Sequence, residues 1–350
     1  MLGAASLDSM RTSGTMRDLA RALVAPGKGI LAADESFPTI ERRFSAIGLP
    51  STEETRRAYR ELLLATPGLG EYISGAILFD ETIRQAASDG TPFPELLRRQ
   101  GIVPGIKVDM GAKPLAGFPG ETVTEGLDGL RQRLSEYREL GAKFTKWRAV
   151  IRIGPAIPSS ACLRANAHAL ARFAALSQEA GLVPIIEPEV LMDGDHTIER
   201  CQEVTETTLD TVFHELRLYR IELEATLLKP SMVLSGKDCL RQAPVEEVAR
   251  RTVLVLRRTV PAAVPGVVFL SGGQADEVAT AHLDAMNRLG PHPWELSFSY
   301  GRALQDPALR AWGGRPENVE VAQRALLHRA RLNALARSGA YEPALEREAA

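Results

Sequence analysis

The chain has 350 residues, of which 45% are hydrophobic and 25% charged, and a formal net charge of -2. That length suits one α/β barrel or two small domains, and the interspersed acids and bases, with no basic tract, exclude a nucleic-acid or membrane-surface binder. No apolar stretch approaches the roughly 20 residues needed to span a bilayer, and the three isolated cysteines, Cys162, Cys201 and Cys239, have no zinc-site spacing and suit a reducing cytosol.

The N-terminal stretch MLGAASLDSMRTSGTM has no apolar core of secretory-signal length and reads as a loose arm over 1–15. Eight short apolar runs follow. In order they are GKGILAAD around 28–35, GAILF (75–79), VPGIKVD (103–109), KFTKWRAVI (143–151), LVPIIEPEV (182–190), ATLLKPSMV (225–233), VVFLSGG (267–273) and ELSFSYG (295–301). Amphipathic stretches separate them, among them STEETRRAYRELLLAT, TVTEGLDGLRQRLSEYRELGA, SSACLRANAHALARFAALSQEAG and PVEEVARRTVLVLRRTVP. Thr52, Ser159 and Thr197 are placed to cap such helices, and Gly141 and Gly181 to close two of them. Alternating strand and helix patterns, with no Gly-rich dinucleotide turn after the first run, predict an α/β fold: one (β/α)₈ TIM barrel over 16–341, with a short tail at 342–350.

In such a barrel the active site lies where the strands end. The charged residues fall there: Asp34 after run one, Lys107 and Asp109 on run three, and Lys146 and Arg148 on run four. Run five carries Glu187 and Glu189, run six Lys229, run seven Ser271, and run eight leads into Arg302. Alternate strand residues share a face, so each i, i+2 pair is expected to point into the barrel. Several charges desolvated together cost stability, so a site explains them better than a core does. Lys229 stands out because Pro230 follows it, which holds Lys229 extended at the end of a buried strand. Only seven of the 42 basic residues are lysines, so surface charge here is met by arginine. A buried lysine must be paired or give up its proton and become a nucleophilic amine.

The seventh and eighth runs end in SGGQ and SYGR. Loops in these positions commonly bind phosphate in barrels. Ser271 offers a hydroxyl, Gly272, Gly273 and Gly301 let backbone N–H groups approach an anion, and Arg302 adds a charge-assisted contact.

The stretches GKGILAADES, GIKVD, TKWRAVI, PIIEPE, LLKPSMV, FLSGGQ and FSYGRALQ resemble the class I, Schiff-base fructose-1,6-bisphosphate aldolase family, from about Met16 to Tyr341. The resemblance implies Lys229 as the Schiff-base lysine and Glu187 as the acid/base that dehydrates the carbinolamine. Lys146 and Asp34 complete the catalytic set, with Glu189 beside it. It places Lys107 and Arg148 near the C6 phosphate of a phosphorylated ketose, and Ser271, Gly272 and Arg302 at the C1 phosphate. Ser36, Thr39 and Arg43 are further substrate contacts. It implies a cytoplasmic homotetramer that acts in glycolysis with no cofactor and no metal, because the iminium polarises the substrate as zinc does in the other aldolase class. The six histidines are scattered.

The chemistry agrees: cleaving the C3–C4 bond of a ketose needs an electron sink at C2. Lys229 must lose its proton near neutral pH, helped by burial and by Lys146, and crowding by Glu189 is expected to raise Glu187. The C4 hydroxyl proton would go to Asp34 or Glu187. A binding-only barrel lacks a reason for Lys229, Glu187, Lys146 and Asp34 together, and a transaldolase or single-phosphate aldolase lacks a reason for two phosphate groups of residues.

Two positions depart from the family. Phe37-Pro38 stands in what is expected to be the C6-phosphate loop, and Met110 stands where relatives carry a lysine. Many animal relatives end in a long tail whose terminal tyrosine protonates the enamine. Here Tyr341 is expected to pack, and removal of Ala344–Ala350 is expected to leave cleavage nearly intact.

Overall fold

The computed structural model describes residues 14–347. Its strands, in chain order, are β1 (Gly29–Ala33), β2 (Ile73–Leu78), β3 (Val103–Lys107), β4 (Ala112–Pro114), β5 (Thr122–Thr124), β6 (Phe144–Ile151), β7 (Val183–Val190), β8 (Leu227–Leu228), β9 (Gly266–Phe269) and β10 (Glu295–Tyr300). All but β4 and β5 are parallel and close into a barrel in the order β1-β10-β9-β8-β7-β6-β3-β2. Each of the eight apolar runs supplies one barrel strand. The helices are α1 (14–23), α2 (Phe37–Ser45), α3 (Glu53–Leu64), α4 (Asp80–Ile83), α5 (Phe93–Arg99) and α6 (Leu130–Glu139). They continue with α7 (Ser160–Glu179), α8 (Ile198–Leu218), α9 (Val245–Thr259), α10 (Asp276–Arg288), α11 (Arg302–Trp312) and α12 (Val319–Arg337). The chain is a single-domain TIM barrel. Of the arm expected at 1–15, only Gly14 and Thr15 lie within the described residues, and both belong to α1.

Local chemistry sets the helix ends. Thr52, Ser159 and Thr197 accept hydrogen bonds from the backbone N–H groups of Thr55, Cys162 and Arg200 at the starts of α3, α7 and α8. Gly141 and Gly181 follow α6 and α7 with φ of +107° and +73°. The stretch beginning at Thr122 does not start a helix, contrary to its sequence pattern. Thr122–Thr124 pairs with Ala112–Pro114 as an antiparallel hairpin. The Thr124 hydroxyl donates to the Arg148 carbonyl at 2.8 Å, pinning the hairpin along β6. Gly126 and Gly129, at φ of +126° and +67°, then turn the chain before α6 can begin.

Inside the barrel Ile30, Ile77, Phe144, Ile185, Leu227 and Val268 form one apolar layer, joined by Met16, Ala20 and Leu23 of α1 and by Val24 just after it. The Phe144 ring fits because Gly105 has no side chain; a Cβ there would lie 2.3 Å from the ring. Outside the strands, Trp147 stacks on Phe173 of α7 with centroids 5.6 Å apart. β8 is short because Pro230 has no N–H to extend the ladder. Its last rung to β7 is the Lys229 N–H donating to the Ile186 carbonyl at 2.8 Å. The strand therefore stops where its lysine reaches the barrel mouth.

Candidate active site

The charged layer stands directly on the apolar one. Stepping two residues along β6 from Phe144 gives Lys146 and then Arg148; along β7, Ile185 is followed by Glu187 and Glu189; past β8, Leu227 is followed by Lys229. A cavity of about 410 Å³ opens over this layer. It brings together Asp34, Lys146, Glu187, Glu189 and Lys229, together with Lys107 and Arg148, Ser271, Gly272, Gly301 and Arg302, and Ser36, Thr39 and Arg43. Asp109 behaves differently from its partner in the i, i+2 pair. Lys107 lines the cavity, while Asp109 receives the Lys107 ammonium at 2.7 Å and the Arg148 backbone N–H at 3.1 Å.

At the centre, Glu187 lies between two lysines. Its Oε2 is 2.8 Å from Lys146 Nζ and its Oε1 is 3.4 Å from Lys229 Nζ. Lys146 Nζ also donates to Asp34 Oδ2 at 2.9 Å. Lys229 and Glu187 are each 3% exposed and Lys146 4%, so water screens little of this charge. Burial pushes the Lys229 amine below its ordinary pKa, and the Lys146 charge pushes it further, against the pull of Glu187 and Asp34. Burial acts the same way on Lys146, but Asp34 and Glu187 outweigh it and hold that ammonium protonated. For Asp34, burial would raise the carboxyl, yet Lys146 and Lys229 hold it well below the usual carboxylate range. One lysine is thus a fixed cation and the other is driven toward the neutral amine.

Glu189, whose spacing suggested that it crowds Glu187, binds the Arg148 guanidinium, and that cation also attracts Glu187. The glycine turns expected to hold the C1 phosphate follow β9 and β10. Gly272 and Gly273 take φ of +54° and +93°, where a side chain would be strained. Arg302 Nη2 lies 2.9 Å from where a Gly273 Cβ would be, so the guanidinium rests across that backbone. Gly301 begins α11 with no side-chain cap, which leaves the first N–H groups of the helix toward the mouth.

Phe37 and Pro38 are not a loop. They form the first turn of α2, where Pro38 removes an N–H that would have no intrahelical partner. Ser36 occupies the N-cap position of this turn without a side-chain capping bond, its hydroxyl lying 3.3 Å from that of Thr39. Phe37 packs edge-on against Phe79 at 5.2 Å, under the Arg56 guanidinium at 4.7 Å. Met110 is 60% exposed and lines a second cavity of about 690 Å³, which shares Ser36, Lys107 and Arg148 with the first.

Sequence reasoning missed the support of Arg43. Buried Glu35 accepts from Arg43 and forms an ion pair with Arg60, each at 2.6 Å, and Gln305 Nε2 donates to Glu35 at 2.9 Å and to the Ala32 carbonyl at 2.6 Å. The available signal was a second acid directly after Asp34, on the opposite face of the chain. Ser299, also lining the cavity, was missed; its signal was alternating hydroxyls in SFSY.

A buried lysine biased toward its neutral form, facing a carboxylate and a fixed cation beside a glycine turn crossed by an arginine, suits an imine-forming enzyme. The sequence profile of the glycolytic family described as fructose-bisphosphate aldolase class-I matches residues 15–350. A probable class 1 fructose-bisphosphate aldolase of Xanthomonas campestris pathovar campestris is 62% identical, over 93% of this chain and 98% of its own. A cytosolic fructose-bisphosphate aldolase of Arabidopsis thaliana is 54% identical, over 91% of this chain and 81% of its own. The crystal structure of the Plasmodium falciparum fructose-bisphosphate aldolase, in complex with TRAP and a small-molecule inhibitor, superposes with a TM-score of 0.94 at 49% identity, covering 95% of this chain and 96% of that one. The chain belongs to the class I fructose-bisphosphate aldolase family.

Proposed function

We propose that Lys229 is the residue through which this class I aldolase cleaves fructose 1,6-bisphosphate to dihydroxyacetone phosphate and glyceraldehyde 3-phosphate. The observation that carries the assignment is the contact of Glu187 with both Lys229 and Lys146, where only Lys229 is pushed toward the neutral amine. The neutral Lys229 amine adds to the C2 ketone, and the carbinolamine loses water as Glu187 delivers a proton to the departing hydroxyl. The C4 hydroxyl then gives its proton to a carboxylate of the same layer, Asp34 or Glu187. The electrons of the C3–C4 bond flow into the iminium, glyceraldehyde 3-phosphate leaves, and an enamine remains on Lys229. Protonation of the enamine and hydrolysis of the imine release dihydroxyacetone phosphate and restore the amine. Lys146 stabilises the anionic carboxylates throughout, and Glu189 acts by holding Arg148.

Lys107 and Arg148 take the C6 phosphate, with Ser36, Thr39 and Arg43 beside them. Ser271, Gly272, Gly301 and Arg302 take the C1 phosphate. The enzyme is placed in the cytosol, which the Arabidopsis relative supports, as a homotetramer without metal or other cofactor. No described helix is long and apolar enough to cross a membrane. In this reading the barrel domain covers 16–341, preceded by an arm at 1–15, of which Gly14 and Thr15 belong to α1, and followed by a tail at 342–350.

The test is a coupled assay of fructose 1,6-bisphosphate cleavage in the presence of a strong chelator, comparing the parent with Arg302→Ala. The parent is expected to stay active. The variant should show KM raised about tenfold or more, for a lost charge-assisted contact worth roughly 1.5–3 kcal/mol. Loss of parent activity that zinc restores would contradict the imine mechanism, and unchanged kinetics in the variant would remove Arg302 from the phosphate site.

A further inference from the structure

We propose that Arg329, neutralised by Glu346, is a positioning residue that fixes the spacing of the two anion-binding turns, so that the C-terminal segment tunes affinity for the C1 phosphate. The inference rests on the assignment of Ser271–Gly273 and Gly301–Arg302 to that phosphate. Arg329 lies on α12 and is 4% exposed. Its Nη2 donates to the Asp276 carbonyl at 3.0 Å and to the Thr280 hydroxyl, both on α10. Its Nε donates to the Ala303 carbonyl at 3.4 Å, in the first turn of α11. One planar cation therefore clasps the two helices that begin directly behind SGGQ and SYGR. The Tyr300 hydroxyl, donating to the Ala279 carbonyl at 3.0 Å, ties the same two segments. Asn333 Nδ2 donates to the Arg329 carbonyl at 2.8 Å, and its Oδ1 lies 3.0 Å from the Thr280 hydroxyl.

A buried guanidinium needs a counter-charge. Glu346 supplies it, accepting from Arg329 Nη1 at 2.6 Å and from the Tyr341 hydroxyl at 2.9 Å. The segment is fastened to α10 in turn: the Tyr341 N–H donates to Asp284 Oδ1 at 2.9 Å, and Arg288 Nη2 to the Tyr341 carbonyl at 3.0 Å. Tyr341 thus packs away from the lysine layer. The expectation that removal of Ala344–Ala350 leaves cleavage nearly intact concerns kcat; the same cut takes Glu346, the carboxylate hydrogen-bonded to Arg329, and on this proposal raises KM. The clasp touches none of Lys229, Glu187 and Lys146, so loosening it weakens ground state and transition state alike and is expected in KM rather than kcat.

The test uses the full-length chain with Glu346→Gln, which keeps size and removes the counter-charge. A second variant, Arg329→Lys, keeps the ion pair and removes the fork that spans both helices. KM and kcat for fructose 1,6-bisphosphate and the inhibition constant for inorganic phosphate are measured beside Arg302→Ala. Both clasp variants are expected to raise KM and the phosphate inhibition constant together about fivefold, with kcat within about twofold of the parent. Unchanged constants in the clasp variants, with both constants raised in Arg302→Ala, would overturn the proposal and leave Arg329 a structural residue. Unchanged constants in Arg302→Ala would instead overturn the phosphate assignment and the proposal with it. If Arg329→Lys does not fold, Glu346→Gln decides alone.

Discussion

Lys229→Arg is expected to reduce cleavage on the order of 10⁴-fold or more, as losses of a covalent nucleophile do. The side chain is 3% exposed and faces Glu187 at 3.4 Å, so an arginine there keeps a positive charge opposite the same carboxylate. A guanidinium stays protonated and has no free amine to add to C2. The loss therefore belongs to the chemistry, provided that thermal unfolding shows the barrel intact. Steady-state assay of fructose 1,6-bisphosphate cleavage decides it; turnover within about tenfold of the parent would show that another residue carries the imine.

Glu187→Gln is expected to lower the plateau of cleavage by about 10²–10⁴-fold, the contribution of a positioned acid/base. The pH profile gives a second readout. Lys229 reacts as the neutral amine, so activity rises as pH climbs through its depressed pKa. Burial and Lys146 lower that pKa, whereas Glu187 raises it. Removing the Glu187 charge therefore lowers it further, and the acidic limb of kcat/KM should move to lower pH. A variant with a nearly unchanged plateau, or with its acidic limb moved upward, would contradict the role of Glu187.

The barrel was legible because eight short, mostly apolar runs alternate with amphipathic stretches, as parallel strands buried on both faces do, although β10 alternates Glu295, Ser297 and Ser299 with apolar residues. The end of β8 was legible too, since Pro230 can only stop a ladder. β4 and β5 were not. Thr122–Thr124 is three residues inside a polar stretch, and its strand conformation comes from contacts with β6 and α7 that no local pattern records. At the site, period-two spacing exposed Lys146 with Arg148 and Glu187 with Glu189. It failed for Asp109, which lies beyond the end of β3, where alternation no longer governs direction. Glu35, Arg60 and Gln305 come from three separate parts of the chain, Glu35 and Gln305 being 270 positions apart. Arg329 is one arginine among several on an amphipathic helix, and only the fold shows which of them faces Asp276 and Ala303. Side chains on one strand can be read together, whereas those that meet across helices cannot.

The most direct test of the central claim is reduction of the enzyme with borohydride in the presence of dihydroxyacetone phosphate, followed by peptide mass mapping. The reagent reduces an imine to a stable secondary amine, so the lysine that formed it carries the three-carbon label. The account predicts one labelled peptide, with the modification on Lys229 of LLKPSMV and none without dihydroxyacetone phosphate. A label confined to another lysine, or no label at all in an enzyme that still turns over, would contradict it.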